Sequence, residues 1–494
     1  MDDFGGLQSA LPDALAANTV GSGRDHVVVA MASFSLSDSL LAHYGARLPA
    51  MEHRYLNASL LLNRIDADFV FVCSLAPDPE VLAYYRDLVA PDVGRRMGER
   101  LHVVALEDPS PRPLAEKLLD RPDLLDEVRC LVADRAAVIE PWNVTEHEVA
   151  VALELGVPIN GTAPELRSAA FKSAGRKLFH RAGVPVPLGR EDLHTIDDVA
   201  ATAEWIRAAR PAVSAVVVKH DDSGAGDGNA VVDLRDGSGG HRDPHEVLAA
   251  ISALPRWFLD DLATGGGVVE EMVTGDGLRS PSVQLDLLPG AGVRVLATHD
   301  QVLGGDNGQV YLGCRFPADP AYAADLARHG DAVGRALADL GCAGRVGVDF
   351  MAARTGEGPW SVTALEVNLR KGGTTHPFSA LRNLVPGRYD AEAGAWVADA
   401  DGSTRAYRSS DNLVDPSLAE RSPQSVIDAV RDAGLQFDIG RGTGVVLHML
   451  GCLAVDGRFG ATAIGRTPEH ADELYAATLA AVVPRGAAAV DLAR

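Results

Sequence analysis

The 494-residue chain is short of cations, cysteines and long apolar runs, and each shortage excludes something. Its 45 Lys and Arg stand against 68 Asp and Glu, a formal net charge of -23. A field of that sign repels phosphate backbones, so neither nucleic acid nor an anionic membrane is an expected partner. Any phosphate ligand must be held by a few local cations. The five cysteines (Cys73, Cys130, Cys314, Cys342, Cys452) are odd in number, scattered and without a CxxC pair, which reads as a reduced chain without structural zinc. No run approaches the roughly 18 apolar residues of a membrane span, and the N-terminus lacks the basic and apolar regions of a signal peptide. A cytoplasmic protein is expected. There is no recognisable Ser-His-Asp or Cys-His arrangement, and "GSG" at 21–23 precedes the first strand instead of following it, which argues against a dinucleotide fold.

What is present divides into three parts. Residues 1–160 alternate short apolar segments with helical ones; "HVVVAMASF" (26–34), "DFVFVCS" (68–74), "RLHVVAL" (100–106) and "CLVADRA" (130–136) read as buried strands of an α/β domain. A helix ended by Gly183 and Pro185 is expected in the segment 164–187, where Leu166, Ala170, Ala174, Leu178 and Ala182 form a stripe that leaves Lys172, Arg176 and Lys177 on a solvated face. Strands separated by Gly-rich turns fill 213–370, an α+β domain with a largely antiparallel sheet taken to extend over 161–380. The remainder, 381–494, is a small α+β unit. It contains a helix begun by Ser422 and Pro423, an expected hairpin turning at Asp456-Gly457, and a capped final helix.

Three stretches carry chemistry. In "GRVGVDFMAA", Val346, Val348 and Phe350 share one face, Arg345, Gly347 and Asp349 the other; in "SVTALEVNLR", Thr363, Leu365, Val367 and Leu369 alternate with Ala364, Glu366, Asn368 and Arg370. A hairpin centred on Glu357 and Gly358 would set Asp349 across from Glu366 and Arg345 across from Arg370. Facing like charges destabilise a sheet unless something lies between them. Magnesium between Asp349, Glu366 and the Asn368 carbonyl, and a phosphate near Arg345 and Arg370, would relieve both repulsions. In "AVVVKHDDSGAGDGNAVV" (215–232), a strand delivers Lys219 to a loop with Gly224, Gly226 and Gly228, suited to phosphate oxygens although Asp221, Asp222 and Asp227 must then point away. In "VVEEMVTGDG" (268–277), an extended backbone ending in two acids could pair with a purine edge.

In this order the pieces resemble the ATP-grasp ligases: helix lysine, "AGVPVP", strand lysine with glycine loop, "VVEEMV", a "VDF" strand, then E-x-N-x-R. "SPSVQLDL", "LEVNLRKGGTTHPF" and "FDIGRGTGVVLHML" look like the branch of pheganomycin-type peptide ligases. The resemblance implies a pre-ATP-grasp domain, an ATP-grasp fold and a C-terminal domain. It also implies that ATP and Mg2+, with Mn2+ as a substitute, serve to join a small-molecule carboxylate to an amino acid or peptide amine. Lys172 and Lys219 would bind phosphates under a lid of Gly224 to Gly228. Glu270 would accept from the adenine amine, and the Glu271 carbonyl and Val273 N–H would complete that contact. Asp276 is a weak, displaced counterpart of the family's ribose-binding glutamate. Asp349, Glu366 and Asn368 would hold magnesium and Arg370 would face transferred phosphate. Arg345 departs from the pattern, standing four residues before Asp349 where many members have an arginine two before it, so its phosphate role rests on the strand register. His376, near Arg370 in sequence, is the candidate base for the incoming ammonium. A homodimer is the commonest assembly and is the expected one. Another ATP-grasp reaction, carboxylation or thioester formation, and a non-catalytic ATP sensor are the alternatives.

Overall fold

The computed structural model describes residues 2–223, 228–304 and 310–483. Strands β1 (His26–Met31), β2 (Asp68–Cys73), β3 (Leu101–Ala105) and β4 (Ala136–Pro141) form a parallel sheet in the order β3-β2-β1-β4. Parallel strands are covered by crossover helices and become apolar on both faces. Val27, Val29 and Val70 accordingly enter one core, and Val28, Phe69 and Phe71 another. The strand expected at 130–136 is not one. Pro122–Val132 is a helix that buries Leu125, Val128 and Val132 at helical spacing, and the strand begins at Ala136.

A second sheet, antiparallel, contains β5 (Gly189–Leu193), β6 (Ala215–His220), β7 (Asn229–Asp233) and β8 (Gly267–Glu271) in the order β5-β8-β6-β7. The continuous helix expected within 164–187 is broken at Phe171, whose ψ is 148°; a 3-10 turn, Pro164–Ala170, precedes it and the helix Lys172–Arg181 follows. The break is made by Asp221, whose carboxylate accepts from the Ser173 N–H at 2.9 Å and from its hydroxyl at 2.7 Å, capping the new helix.

The third sheet joins β9 (Gly277–Leu288), β10 (Gly292–Gly304), β11 (Val310–Phe316), β12 (Gly344–Arg354), β13 (Ser361–Asn368), β14 (Gly387–Asp390), β15 (Ala395–Ala398), β16 (Thr404–Val414), β17 (Gly444–His448) and β18 (Arg458–Gly465). Its path is β13-β12-β9-β10-β11-β16-β15-β14, with β18 on β16 and β17 on β18, so it runs unbroken across residue 380. The helix Ala323–Asp339 covers one face, packing Leu326, Val333 and Leu337 on Val283, Leu285, Val346 and Val348. Val446, Phe459 and Ile464 share a core with Phe69 and Phe71, so the chain's two ends are fused through apolar contact. β17 and β18 are antiparallel neighbours, but the expected two-residue turn is absent: a 3-10 turn and the helix Leu453–Asp456 intervene, closed by Gly457 at φ +71°. Ser422 and Thr467 cap their helices as expected, accepting from the Ser425 and His470 N–H groups. Among the described residues no helix is long and apolar enough to cross a membrane.

Gly344, which starts β12, has φ +82°, and a Cβ there would lie 2.6 Å from the Asn160 carbonyl oxygen. Gly344→Ala therefore combines a left-handed backbone with a clash against immobile main chain. A loss of about 2–4 kcal/mol in denaturant unfolding is expected, and an unchanged midpoint would refute the contact.

Candidate active site

β12 and β13 form the floor of the site. Asp349 pairs with Glu366, and Gly347 with Asn368. The alternation expected along β13 does not hold throughout. Leu365 is bulged, so that Val362 and Ala364 on one side of it and Val367 on the other all reach the core while Glu366 and Asn368 remain beside Asp349. Asn368 donates its amide to Asp349 Oδ2 at 2.8 Å, and Gln301 donates to Oδ1 at 2.9 Å. The Asn368 oxygen is thus the atom it can offer a cation. Burial, then the neighbouring Glu366 carboxylate, pushes the Asp349 carboxyl up to about 7. Burial also acts to raise Glu366, but Lys172, Lys219 and Arg370 outweigh it and hold that carboxyl below the usual range. Lys172 Nζ lies 3.3 Å from Glu366.

The expected facing of Arg345 and Arg370 is not formed. β13 ends at Asn368, and Arg345 turns to its other neighbour, β9, where its Nε donates to Asp286 at 2.7 Å and NH1 to Gln284 at 3.2 Å. A carboxylate directly opposite on β9 satisfies the guanidinium better than a second guanidinium could. Arg370 stays near the carboxylates and favours the charged form of both, prevailing over burial, together with the two lysines, only at Glu366.

Lys172 and Arg176, expected on a solvated face, are buried; Lys177 alone of the three is exposed. Both have work inside. Lys172 donates to the Ser223 carbonyl at 2.8 Å, at the start of the glycine loop, while Arg176 and Lys219 each contact one Glu270 oxygen at 2.5 Å. Burial opposes the charge on Glu270, but the two cations hold its carboxyl below the ordinary range. Any adenine amine would have to share that carboxylate. Glu271 accepts from the Leu188 N–H at 2.8 Å and from Arg210, and Val273 follows just beyond β8. Asp276 accepts from the Gly356 N–H at 2.8 Å, tying this segment to the β12–β13 turn. Gly224 and Gly226 lie outside the described residues. Gly228 has φ +77°, and a Cβ there would meet Ser223 at 2.8 Å. Asp221 and Asp222, which seemed to count against phosphate, are engaged by Ser173 and Arg167.

Beyond β13, Lys371 reaches the first sheet, donating to Glu140 at 2.6 Å and to the Pro141 carbonyl at 2.7 Å. Gly373 has no space for a side chain, since a Cβ would lie 2.4 Å from the Tyr311 ring. His376 lies in the first turn of the helix Thr375–Leu384, is buried, and has its Nε2 2.9 Å from Asp411 Oδ1. Burial pushes its pKa down to about 4. Sequence reasoning missed Gln301, Asp286 and the inward role of Arg176; only Arg176 had a signal, lying one turn after Lys172 on the same face.

A floor of facing carboxylates and an amide, reached by lysines from a helix and from a separate antiparallel sheet, is the architecture of an ATP-grasp enzyme, and a model of the ATP-grasp domain matches residues 170–374. A model of the PGM1 C-terminal domain matches residues 425–478. The fold is similar to the biotin carboxylase domain of 2-oxoglutarate carboxylase from Hydrogenobacter thermophilus, solved with MgADP, ADP and bicarbonate (TM-score 0.52, 14% identity, 91% of this chain and 89% of that one). It is also similar to the biotin carboxylase of Campylobacter jejuni (TM-score 0.50, 16% identity, 81% and 77%). L-propargylglycine–L-glutamate ligase of Streptantibioticus cattleyicolor is 32% identical over 419 residues, 82% of this chain and 83% of that protein. IQ motif-containing protein H of Danio rerio is 26% identical over 304 residues, 51% of this chain and 29% of that protein. The chain belongs to the ATP-grasp carbon–nitrogen ligases, in the branch of the pheganomycin-type peptide ligases. Enzymes of this superfamily bind ATP and Mg2+ as a general property.

The raised Asp349 carboxyl has a consequence for metal binding. If Asp349 is one of the ligands, its carboxyl, pushed up to about 7, must give up a proton to an incoming cation. Apparent Mg2+ affinity should therefore fall as pH drops below 7, approaching about tenfold per pH unit, and should level off above pH 8. Calorimetric titration between pH 6 and 8.5 measures this; a flat profile would show that Asp349 is already ionised at pH 6.

Proposed function

We propose that this enzyme uses ATP to activate a carboxylate as an acyl phosphate and joins it to the amine of an amino acid or peptide. The observation that carries the reading is the Asp349–Glu366 pair, half-buried beside Asn368 and approached by Lys172 and Lys219. Such a site is costly unless occupied by a cation, and its all-oxygen donor set suits magnesium. Asp349, Glu366 and the Asn368 oxygen would hold Mg2+, which when bound neutralises phosphate charge. Lys172 and Lys219 would bind phosphate oxygens under the loop Gly224–Gly228, with Glu270 fixing Lys219 and Arg176. The Glu271 carbonyl and Val273 N–H would meet the adenine edge.

The chemistry requires in-line positioning and charge neutralisation more than a protein nucleophile. A substrate carboxylate oxygen attacks the γ-phosphorus and ADP departs. The amine then attacks the acyl carbon, the amide forms, and phosphate leaves as the amine loses its proton. Arg370, beside the carboxylate pair, is placed to stabilise charge on the transferred phosphate. Arg345 is committed to Asp286 and supports β9 and β12. His376, buried against Asp411, is better placed to set the loop "KGGTT" than to take a proton from a free amine. The relative that acts on L-propargylglycine and L-glutamate supports α-amino acids as both partners, in natural product biosynthesis.

Incubation with Mg2+, ATP and pairs of amino acids, followed by mass spectrometry, should give an amide dipeptide and ADP in equal amounts. Turnover with bicarbonate or thiols but with no amine would overturn the reading. Glu366→Gln should reduce kcat by at least about a hundredfold, because a neutral amide cannot balance the cation. Near-parent turnover would remove Glu366 from the metal site.

A further inference from the structure

His376, Asp411 and His448 meet at one point inside the molecule, where they are 5%, 7% and 1% exposed. They come from separate elements: the helix Thr375–Leu384, β16 and the end of β17. Both imidazoles present the same atom. Nε2 of His376 is 2.9 Å and Nε2 of His448 is 2.8 Å from Asp411 Oδ1, and the two nitrogens are 3.2 Å apart. With metal bonds of about 2.0–2.1 Å, neighbouring donors lie about 2.9 Å apart at right angles and about 3.3 Å apart in a tetrahedron, so the three donors are close to the spacing of one face of a metal shell. Hydrogen bonding alone accounts for them less well. One carboxylate oxygen would accept from both rings, setting two N–H groups against each other, and both Nδ1 atoms would remain buried without a partner among the described residues.

We infer that His376, Asp411 and His448 form a binding site for a transition-metal dication of the zinc class, separate from the oxygen donors at Asp349, Glu366 and Asn368. Imidazole nitrogen favours such ions over magnesium or calcium. The cysteine pattern pointed away from structural zinc because it reports only sulfur ligands. Two features limit the strength of the site. Arg54 donates to the other Asp411 oxygen at 2.8 Å and sets a positive charge beside the ion, and neither Nδ1 has the acceptor that usually steadies a ligand histidine. The site is therefore one that loads and empties with free metal. When filled, it ties the helix after the catalytic strand to β16 and β17.

The full chain, stripped with chelator and kept in excess Mg2+, is titrated calorimetrically with Zn2+. The expected result is a single zinc per chain that survives in Glu366→Gln, tightens in Arg54→Gln and weakens at least about tenfold in His448→Gln. Loading with Co2+ gives a second readout, a visible absorption that His376→Gln alters, and circular dichroism checks that each variant is folded. Absence of zinc uptake by the folded parent at millimolar metal overturns the proposal. So does uptake that neither histidine substitution changes.

Discussion

Two carboxylates facing each other across a pair of strands are the constraint on which the site depends. At an effective dielectric of about 20, two like charges roughly 4 Å apart repel by about 4 kcal/mol, a large share of the ~5–15 kcal/mol that keeps a domain folded. The chain meets this by protonation or by cations. Asp349 is pushed toward its neutral form, and Glu366 is kept ionised by Lys172, Lys219 and Arg370, which come from a helix, a strand of the second sheet and the segment just after β13. Folding of the helix Lys172–Arg181, of the second sheet and of the end of β13 is thereby drawn to one spot.

The same logic governs the other cations. Lys219 and Arg176 share Glu270, Arg345 holds Asp286, and Lys371 holds Glu140. Each of these cations is paired with a carboxylate, two of them with the same one. A chain with 23 more acids than bases can thus keep a phosphate-binding interior without giving up the negative exterior.

Much of the site was legible in the sequence because period-two alternation and a two-residue centre put Asp349 opposite Glu366. The bulge at Leu365 was not legible, since adding one residue leaves both apolar segments intact and only changes which of their members face inward. Arg345 was misread for a related reason. A strand has two neighbours, and a hairpin motif names only one; Asp286 lies some sixty positions earlier on β9. The helix around Lys172 was drawn too long because the stripe of Leu166, Ala170, Ala174 and Leu178 passes the break at Phe171 without interruption, while the capping carboxylate of Asp221 arrives from a distant loop. At the first sheet, "CLVADRA" is apolar enough for a strand, but Val128 and Val132 continue a helical face. Such errors arise wherever a partner distant in the chain decides between two local options.

The reach of Lys371 into the first sheet has an evolutionary consequence. Its ammonium and its backbone N–H are both bound by the segment 140–142, through the Glu140 carboxylate and the Pro141 and Trp142 carbonyls. The first sheet is therefore not an interchangeable module attached to a catalytic engine. A chimera built by exchanging it must carry over the end of β4, or the loop that begins with Lys371 loses its anchor even though every residue of that loop is retained.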